Sequence, residues 1–255
     1  MNAGMQCTVF LGPTLPHDKA MTLWRANYLP PAAMGDVCAV VAARPDVIVL
    51  VDGVFEDRPS VWHKELLWAI DQGIAVIGAC SMGALRAAEL HEHGMYGFGE
   101  VFDGFRTGSL TDDDEVAVSH APAEMHWLPL TDAMVDIRDI VRRATENSLI
   151  TQAEASAILT HAKQQHFKER SADASFTHVL SKRRSAVEVA DIQIWLRNAG
   201  PSLKERDCRD LLSNLDSISK HAHLHRQDRR AFSTTVYMSR LEPFGFTTEQ
   251  GGTSP

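Results

Sequence analysis

The sequence predicts an α/β fold: a mostly parallel sheet in the N-terminal half, followed by a helical C-terminal region. Two short apolar runs, 47–51 and 74–77, are rich in valine and isoleucine and read as buried strands. An amphipathic helix between them completes a strand–helix–strand unit, which joins parallel neighbours. From residue 131 onward, apolar residues recur at helical spacing instead, so the second half is expected to be helical.

The individual elements follow from these patterns. We expect strands at Val9–Leu11, Val47–Val51 and Ala75–Gly78, and either a strand or a helix at Val37–Val41. Pro59 and Ser60 are expected to open the helix after the second run, because proline suits the first turn and serine caps it. Pro122 and Pro129 mark a break. Helical spacing then covers 134–141, 149–159, 188–198 and 208–218.

These elements suggest three regions. Residues 1–125 form an α/β catalytic core, 126–246 a helical region packed on it, and 247–255 a disordered tail. The four cysteines, at 7, 38, 80 and 208, have neither metal-ligand spacing nor a disulfide pattern, so we expect a reducing, cytoplasmic environment. No segment reaches membrane-spanning length, and no membrane association is expected.

Charge is unevenly distributed along the chain. The first 130 residues carry 7 basic and 17 acidic residues, and the remaining 125 carry 18 and 16. An acidic first half argues against nucleic acid as a substrate. Basic clusters at 182–184 and 226–230 would suit an acidic protein partner, although surface solubility explains them almost as well.

The most informative motif is the turn that contains Ser81. The apolar strand leads into Gly78-Ala-Cys-Ser81-Met-Gly83, and an alanine-rich helix follows. Small residues two positions before and after the serine are typical of a nucleophile elbow, where the backbone bends sharply and exposes the hydroxyl. Serine is also a favoured helix cap, so a structural role and a catalytic role both remain open. Cys80 beside it is either a sulfur relay or a small core residue.

A base for Ser81 is expected on the preceding helix. That helix begins at the same edge of the sheet as the turn, and its first residues include His63 and Lys64. Histidine is the usual partner of serine, whereas lysine can serve when its surroundings favour the neutral amine. Spacing alone does not choose between them. Asp52 and Glu56, which follow a strand end, are candidates to hold the base in place or are simple turn formers.

Other candidate residues surround this pair. The backbone N–H of Met82, and those of the Gly12 and Gly53 loops, are candidates for an oxyanion hole. Arg86 is either a carboxylate-orienting group or a structural partner of Glu89, and His120 is a candidate to approach the site. We expect no cofactor and no metal centre. The acidic run 112–115 lacks the spacing of a calcium loop, and it is read either as a helix start capped by Thr111, as site or partner contacts, or as a metal site.

Several phrases together resemble the TfuA family. They are Leu29-Pro-Pro31-Ala-Ala-Met-Gly35-Asp36, Asp52-Gly53-Val-Phe55, Trp62-His63-Lys64-Glu65, Ser81-Met-Gly-Ala-Leu-Arg86-Ala-Ala-Glu89 and Asp112-Asp-Asp-Glu115-Val-Ala-Val-Ser-His120. The resemblance spans residues 8 to 125, in the family's order.

The resemblance implies a function beside YcaO enzymes, which use ATP to activate a peptide backbone amide so that sulfur replaces its oxygen. TfuA-like proteins are understood to hydrolyse the thiocarboxylated C-terminus of a small ubiquitin-like sulfur carrier protein and so release sulfide, in the biosynthesis of ribosomally made peptides. The serine–lysine pair attributed to the family falls here on Ser81 and Lys64. A non-catalytic adaptor that improves the encounter of the YcaO enzyme with its peptide is the alternative.

Overall fold

The computed structural model describes residues 4–226 and 242–244. Within these residues the chain forms two compact units and passes between them twice; the second of these boundaries falls inside one helix. The first unit comprises the described residues of Met1–Ser109 and Asp207–Pro255, and the second is Leu110–Arg206. No helix among the described residues is long and apolar enough to cross a membrane.

The first unit is built on a five-stranded parallel sheet. Its strands are β1 (Cys7–Phe10), β2 (Asn27–Leu29), β3 (Val47–Leu50), β4 (Ala75–Ala79) and β5 (Tyr96–Phe98). The spatial order is β2-β1-β3-β4-β5, with every neighbouring pair parallel. The three central strands are fully buried, which explains their continuous apolar composition. The predicted α/β class with a parallel N-terminal sheet is confirmed.

Helices alternate with these strands. They are α1 (His17–Leu23), α2 (Asp36–Val41), α3 (His63–Asp71), α4 (Met82–Leu90) and α5 (Glu100–Thr107). The alternation places every strand-to-helix loop at the carboxyl edge of the sheet, where parallel α/β proteins usually bind ligands. Residues 37–41, which the sequence left open between strand and helix, lie in α2.

The second unit is helical. It contains α6 (Met134–Glu146), α7 (Gln152–Gln164), α8 (Ala172–Leu180) and α9 (Ala186–Arg197). Capping boxes begin two of these helices: Thr151 and Glu154 at α7, and Ser185 and Glu188 at α9. The helical C-terminal half is therefore as predicted, although α9 begins directly after its serine cap, two residues before the predicted start.

Two further helices close the described chain. α10 (Leu203–Ser213) contains the second boundary between the units, and α11 (Leu215–His225) belongs to the first unit. Apolar residues from both, Leu211, Leu215 and Ile218 among them, complete the core on one face of the sheet. The prediction of one continuous helix over 208–218 is wrong, because Asn214 interrupts it as the N-cap of α11. The histidines at 221, 223 and 225 lie on this helix.

Three local predictions are wrong for identifiable reasons. Helix α3 begins at His63 instead of Pro59, because Ser60 donates its hydroxyl hydrogen bond to the Val54 carbonyl (2.7 Å) and closes a loop. The acidic run forms only a short 3₁₀ turn, Asp113–Glu115, whose cap is Asp112 instead of Thr111. The sequence reading also missed β2 and β5, which are three-residue edge strands too short to show a period. The proposed tail at 247–255 lies outside the described residues.

Candidate functional site

Ser81 lies on a sharp turn between β4 and α4. Its backbone N–H donates to the carbonyl of Ala79 two residues earlier (2.8 Å), and the intervening Cys80 has a left-handed φ of 69°. A three-residue turn of this hand is rare and strained for a residue with a side chain. The backbone strain of the elbow therefore falls on Cys80, and the chain reverses direction immediately before the serine.

The glycines around the turn allow α4 to press directly onto the sheet. Gly83 donates its N–H to the Val51 carbonyl (3.0 Å), and a Cβ on Gly83 would overlap the carbonyl oxygen of Leu50. A Cβ on Gly78 would in turn overlap the Gly83 carbonyl oxygen. The small residues that the sequence pattern singled out thus serve a close approach between the first turn of α4 and its neighbouring strands.

The buried Ser81 side chain makes no capping hydrogen bond to α4. Of the two roles that the sequence left open, capping the helix is therefore not what this hydroxyl does. The first helical N–H, that of Met82, has no backbone acceptor among the described residues. Such an N–H at the positive end of a helix is suited to stabilising an oxyanion.

The two glycine loops proposed for the oxyanion hole differ. Gly53 lies against the start of α4, and a Cβ there would come within 2.7 Å of the Met82 side chain. The Gly12 N–H instead donates to Asp52 (2.9 Å). Gly12 is therefore engaged in the fold, and Met82 and Gly53 remain as candidates.

Asp52 has a structural role. It is buried, and within the described residues its carboxylate accepts hydrogen bonds from the N–H groups of Gly12 and Thr14 and from the Thr14 hydroxyl, at 2.6–3.0 Å. These bonds attach the loop after β1 to the end of β3. These contacts support the turn-forming alternative for Asp52, and its orienting of His63 or Lys64 stays a prediction. Glu56, the other acidic candidate, is exposed and occupies a left-handed position (φ 64°) in the loop before α3.

His63 turns toward the distant part of α4. Its Nε2 lies 2.7 Å from a carboxylate oxygen of Glu89, which Arg86 also contacts at 2.7 Å. Partial burial alone would raise the pKa of Glu89, but the hydrogen bonds from His63 and Arg86 outweigh it and lower that pKa. Glu89 lies eight residues beyond Ser81, about 12 Å along the helix. This contact engages the His63 imidazole with a residue about two turns beyond the serine.

Arg86 fastens the beginning of α3 to α4. Besides its ion pair with Glu89, it donates from Nε to the carbonyl of Val61 (3.3 Å), two residues before the helix begins. The predicted pairing of Arg86 with Glu89 is confirmed. Of the two roles that the sequence left open for Arg86, the structural one accounts for these contacts.

Lys64 is the second residue of α3 and is half-buried. Successive helical residues are 100° apart, so Lys64 leaves the helix between the directions of His63, toward α4, and Glu65, toward α2. Side chains in a helix lean toward its N-terminus, which here is the end at the carboxyl edge of the sheet. The pairing of Lys64 with Ser81 stays a prediction.

The buried Glu65 was not anticipated. Its carboxylate accepts hydrogen bonds from the N–H groups of Gly35 (3.0 Å), Val37 (3.2 Å) and Trp62 (2.7 Å). Burial raises the pKa of Glu65 to about 7, against the opposing effect of these bonds. The residue ties α3 to the start of α2. Its position three residues after the helix cap, where Glu often returns to the backbone, was the available signal.

Two residues of α10 also reach this edge. Asp207 accepts a hydrogen bond from the Val101 N–H (3.0 Å) at the start of α5, and the Cys80 thiol is hydrogen-bonded to that of Cys208. Burial raises the pKa of Cys80 well above its ordinary value. A sulfur relay through Cys80 needs a thiolate, so the core-residue alternative fits better. No local sequence signal links residues more than a hundred positions apart.

The remaining candidates lie in the second unit. The ring of His120 contacts the Ala121 carbonyl (2.8 Å through Nδ1). The carboxylates of the acidic run lie close enough together to resemble a metal site. Lysine and arginine side chains of the same unit already form ion pairs with them. The ion pairs are Lys163 with Asp112, Asp114 and Glu115, Arg170 with Asp114, and Arg138 with Glu115. Three of the four carboxylates in the run are therefore paired within their own unit.

The fold and the elbow define a parallel α/β protein with a serine on a strained strand-to-helix turn at the carboxyl edge of its sheet. Comparison with protein families matches residues 52–171 to the family described as TfuA-like protein, so the chain contains a TfuA-like domain. This domain implies a role alongside YcaO enzymes in thioamidation. A search of curated proteins gives no significant match.

Proposed function

We propose that this protein is a serine hydrolase that releases sulfide from the thiocarboxylated C-terminus of a small ubiquitin-like carrier protein, for use by a YcaO enzyme. One observation carries the proposal. Within the TfuA-like domain, Ser81 occupies a strained elbow, and its hydroxyl is not used to cap the helix that it precedes. Strain of this kind persists where the surrounding structure enforces it, which is common at reactive sites.

The proposed reaction has two steps. The amine of Lys64 accepts the proton of Ser81 Oγ as that oxygen attacks the thiocarboxylate carbon, and the Met82 and Gly53 N–H groups stabilise the oxyanion. The lysine ammonium gives this proton to the sulfur as the carbon–sulfur bond breaks, so hydrosulfide leaves, the amine is neutral again, and the carrier remains as an ester on Ser81. Water activated by the same amine then hydrolyses the ester. In sum, a thiocarboxylate and water give a carboxylate and hydrogen sulfide, with no change of oxidation state.

Lys64 is chosen over His63 because His63 is engaged by Glu89, far along α4. We further propose that residues 1–125 supply the chemistry, whereas the helical region from 126 onward engages the YcaO enzyme. The alternative, an adaptor without chemistry of its own, would improve the encounter of the YcaO enzyme with its peptide and would not need Ser81.

The direct experiment is to incubate the purified protein with a thiocarboxylated carrier in ¹⁸O-labelled water. Mass spectrometry should show one labelled oxygen in the carrier's new carboxylate, together with free sulfide. Ser81→Ala should abolish both products and leave the fold intact, whereas Ser109→Ala, at an exposed serine, should leave both unchanged. Full turnover by a folded Ser81→Ala protein would refute the hydrolase and favour the adaptor.

The base is tested separately. Lys64→Ala should be nearly as damaging as Ser81→Ala, and the double variant scarcely worse than either, because residues that act as one unit lose activity non-additively. His63→Ala should cost much less, and Lys220→Ala, on an exposed face of α11, nothing. If His63→Ala is the most damaging of the three, the base is misassigned.

A further inference from the structure

A hydrogen-bonded hairpin lies in the second unit. Its arms are joined by hydrogen bonds from the Ala121 N–H to the Leu128 carbonyl and from the Leu130 N–H to the Ser119 carbonyl, both 2.8 Å. The Ser119 N–H also donates to the Thr131 hydroxyl (2.8 Å), which closes the base. A 3₁₀ turn, Ala123–Met125, forms the tip. We name residues 119–131 the apolar hairpin.

The hairpin exposes apolar side chains that a folded chain normally buries. Met125, Leu128 and Leu130 are 56%, 54% and 64% exposed. They account for three of the eight large exposed apolar residues in the part of the chain that the structure describes, and they fall within six positions. Because the backbone hydrogen bonds fix the loop, these side chains are presented on a preformed element and need little ordering on binding.

The two residues after the tip have an unusual backbone conformation that hydrogen bonds hold in place. His126 and Trp127 both adopt left-handed backbone angles, with φ of 54° and 52°. Their N–H groups nevertheless bond back to the Ala123 and Pro122 carbonyls (2.9 and 3.3 Å). Two consecutive left-handed residues with side chains cost free energy and are found mainly where a loop has to hold one shape for a function.

The size and charge of this surface indicate what covers it. Three half-exposed side chains offer on the order of 300 Å² of apolar area, against about 800 Å² per partner in a stable interface. Two copies meeting through their hairpins alone would therefore bury too little. A partner with a groove that encloses the hairpin gains far more contact. Glu124 is the one formally charged residue among 120–131, so the groove should be apolar and close to neutral.

We propose that the apolar hairpin is the element that docks into a groove on the YcaO enzyme. The inference rests on the partnership in the proposed function, and the hairpin lies within the matched TfuA-like domain. In this proposal the docking surface is the apolar hairpin, in place of the basic clusters at 182–184 and 226–230. Arg184 is committed to a two-pronged ion pair with Glu154 (2.6 and 2.8 Å) and to the Leu149 carbonyl, while residues 229 and 230 lie outside the described chain.

The test compares two triple variants. Met125→Ser, Leu128→Ser and Leu130→Ser remove the hairpin's apolar surface. Met21→Ser, Val187→Ser and Leu224→Ser remove three other side chains that are each more than half exposed. With a purified YcaO enzyme from the same source, calorimetry should show at least about 100-fold weaker binding for the hairpin variant. The control variant should stay within about threefold of the unmodified protein.

Salt provides a second readout. Docking through an apolar hairpin should change little between low and high salt, whereas docking through the basic clusters should weaken as salt rises. A strong salt dependence, or equal loss in both triple variants, would overturn the proposal. So would a dimer of this chain that the hairpin substitutions dissociate, because the occupant would then be a second copy.

The same variants separate this inference from the hydrolase itself. Hydrolysis of free thiocarboxylated carrier should be unchanged in the hairpin variant. If hydrolysis persists and YcaO binding is equally tight in both variants, the hairpin assignment fails and the hydrolase stands. If the unmodified protein binds no YcaO enzyme, both the hairpin assignment and the partnership fail.

Discussion

Gly83→Ala is the most direct perturbation of the elbow. In an exposed helix this change stabilises a protein, because alanine is the better helix former by about 1 kcal/mol. At Gly83 the added methyl group would overlap the carbonyl oxygen of Leu50, which is backbone and cannot rotate away. Helix α4 would have to retreat from β3 and lose the hydrogen bond from the Gly83 N–H to Val51.

The net effect can be estimated from these contacts. Overpacking a buried site costs about 1–3 kcal/mol, and the lost hydrogen bond adds about 1 kcal/mol. Subtracting the helix-forming gain of about 1 kcal/mol leaves a destabilisation of about 2 kcal/mol. For a chain of this size, that corresponds to a melting temperature lower by about 4–8 °C.

Scanning calorimetry is the suitable assay, because it can separate the transitions of the two units. The melting temperature should fall for the transition of the sheet-containing unit. Gly83→Val should lower it further, since the larger valine side chain meets the same carbonyl. Carrier hydrolysis should also fall, because the shift of α4 displaces Ser81 and the Met82 N–H. A neutral or stabilised Gly83→Ala protein, or no difference between the alanine and valine variants, would refute the reasoning.

Three further outcomes concern buried charges. Burial raises the pKa of Glu65 from 4.5 to about 7, so its contribution to the unfolding free energy is present below 4.5 and is lost as the pH rises through 7. In Glu65→Gln, urea titrations should show an unfolding free energy that declines less over this pH range, by up to about 3 kcal/mol. Parallel curves of unfolding free energy against pH for the two proteins would contradict this. Arg184→Ala should cost on the order of 3 kcal/mol by leaving the almost buried Glu154 without its counter-ion. The exposed Arg183→Ala serves as its control, within about 0.5 kcal/mol. Because the pKa of Glu154 is lowered to about 2, the Arg184 effect should fade as the pH drops from 4.5 toward 2. Asp52→Asn should destabilise the sheet-containing unit by about 2 kcal/mol, measured by calorimetry, since an amide cannot accept all three bonds from the loop after β1; an unchanged transition would show that this loop does not depend on the carboxylate.

The sequence by itself determined the class of the fold and the place of the elbow. Periodicity sufficed for β3, β4 and the helices of the second unit, because strongly apolar strands and capped amphipathic helices are locally encoded. The small residues around Ser81 also predicted a sharp turn. The edge strands β2 and β5 were not predicted, since three residues are too few to show the alternation of apolar and polar residues that marks a strand.

Only the tertiary structure decided how the charged residues are used. Asp52, Glu65 and Arg86 each meet partners at least 25 positions away, so no local pattern could reveal whether they serve the fold or the chemistry. The same applies to His63, which the sequence could not separate from Lys64 and which contacts Glu89 across two helices. Hydrophobic patterning is read along the chain, whereas the pairing of buried charges depends on which elements pack together, and packing follows from the whole fold.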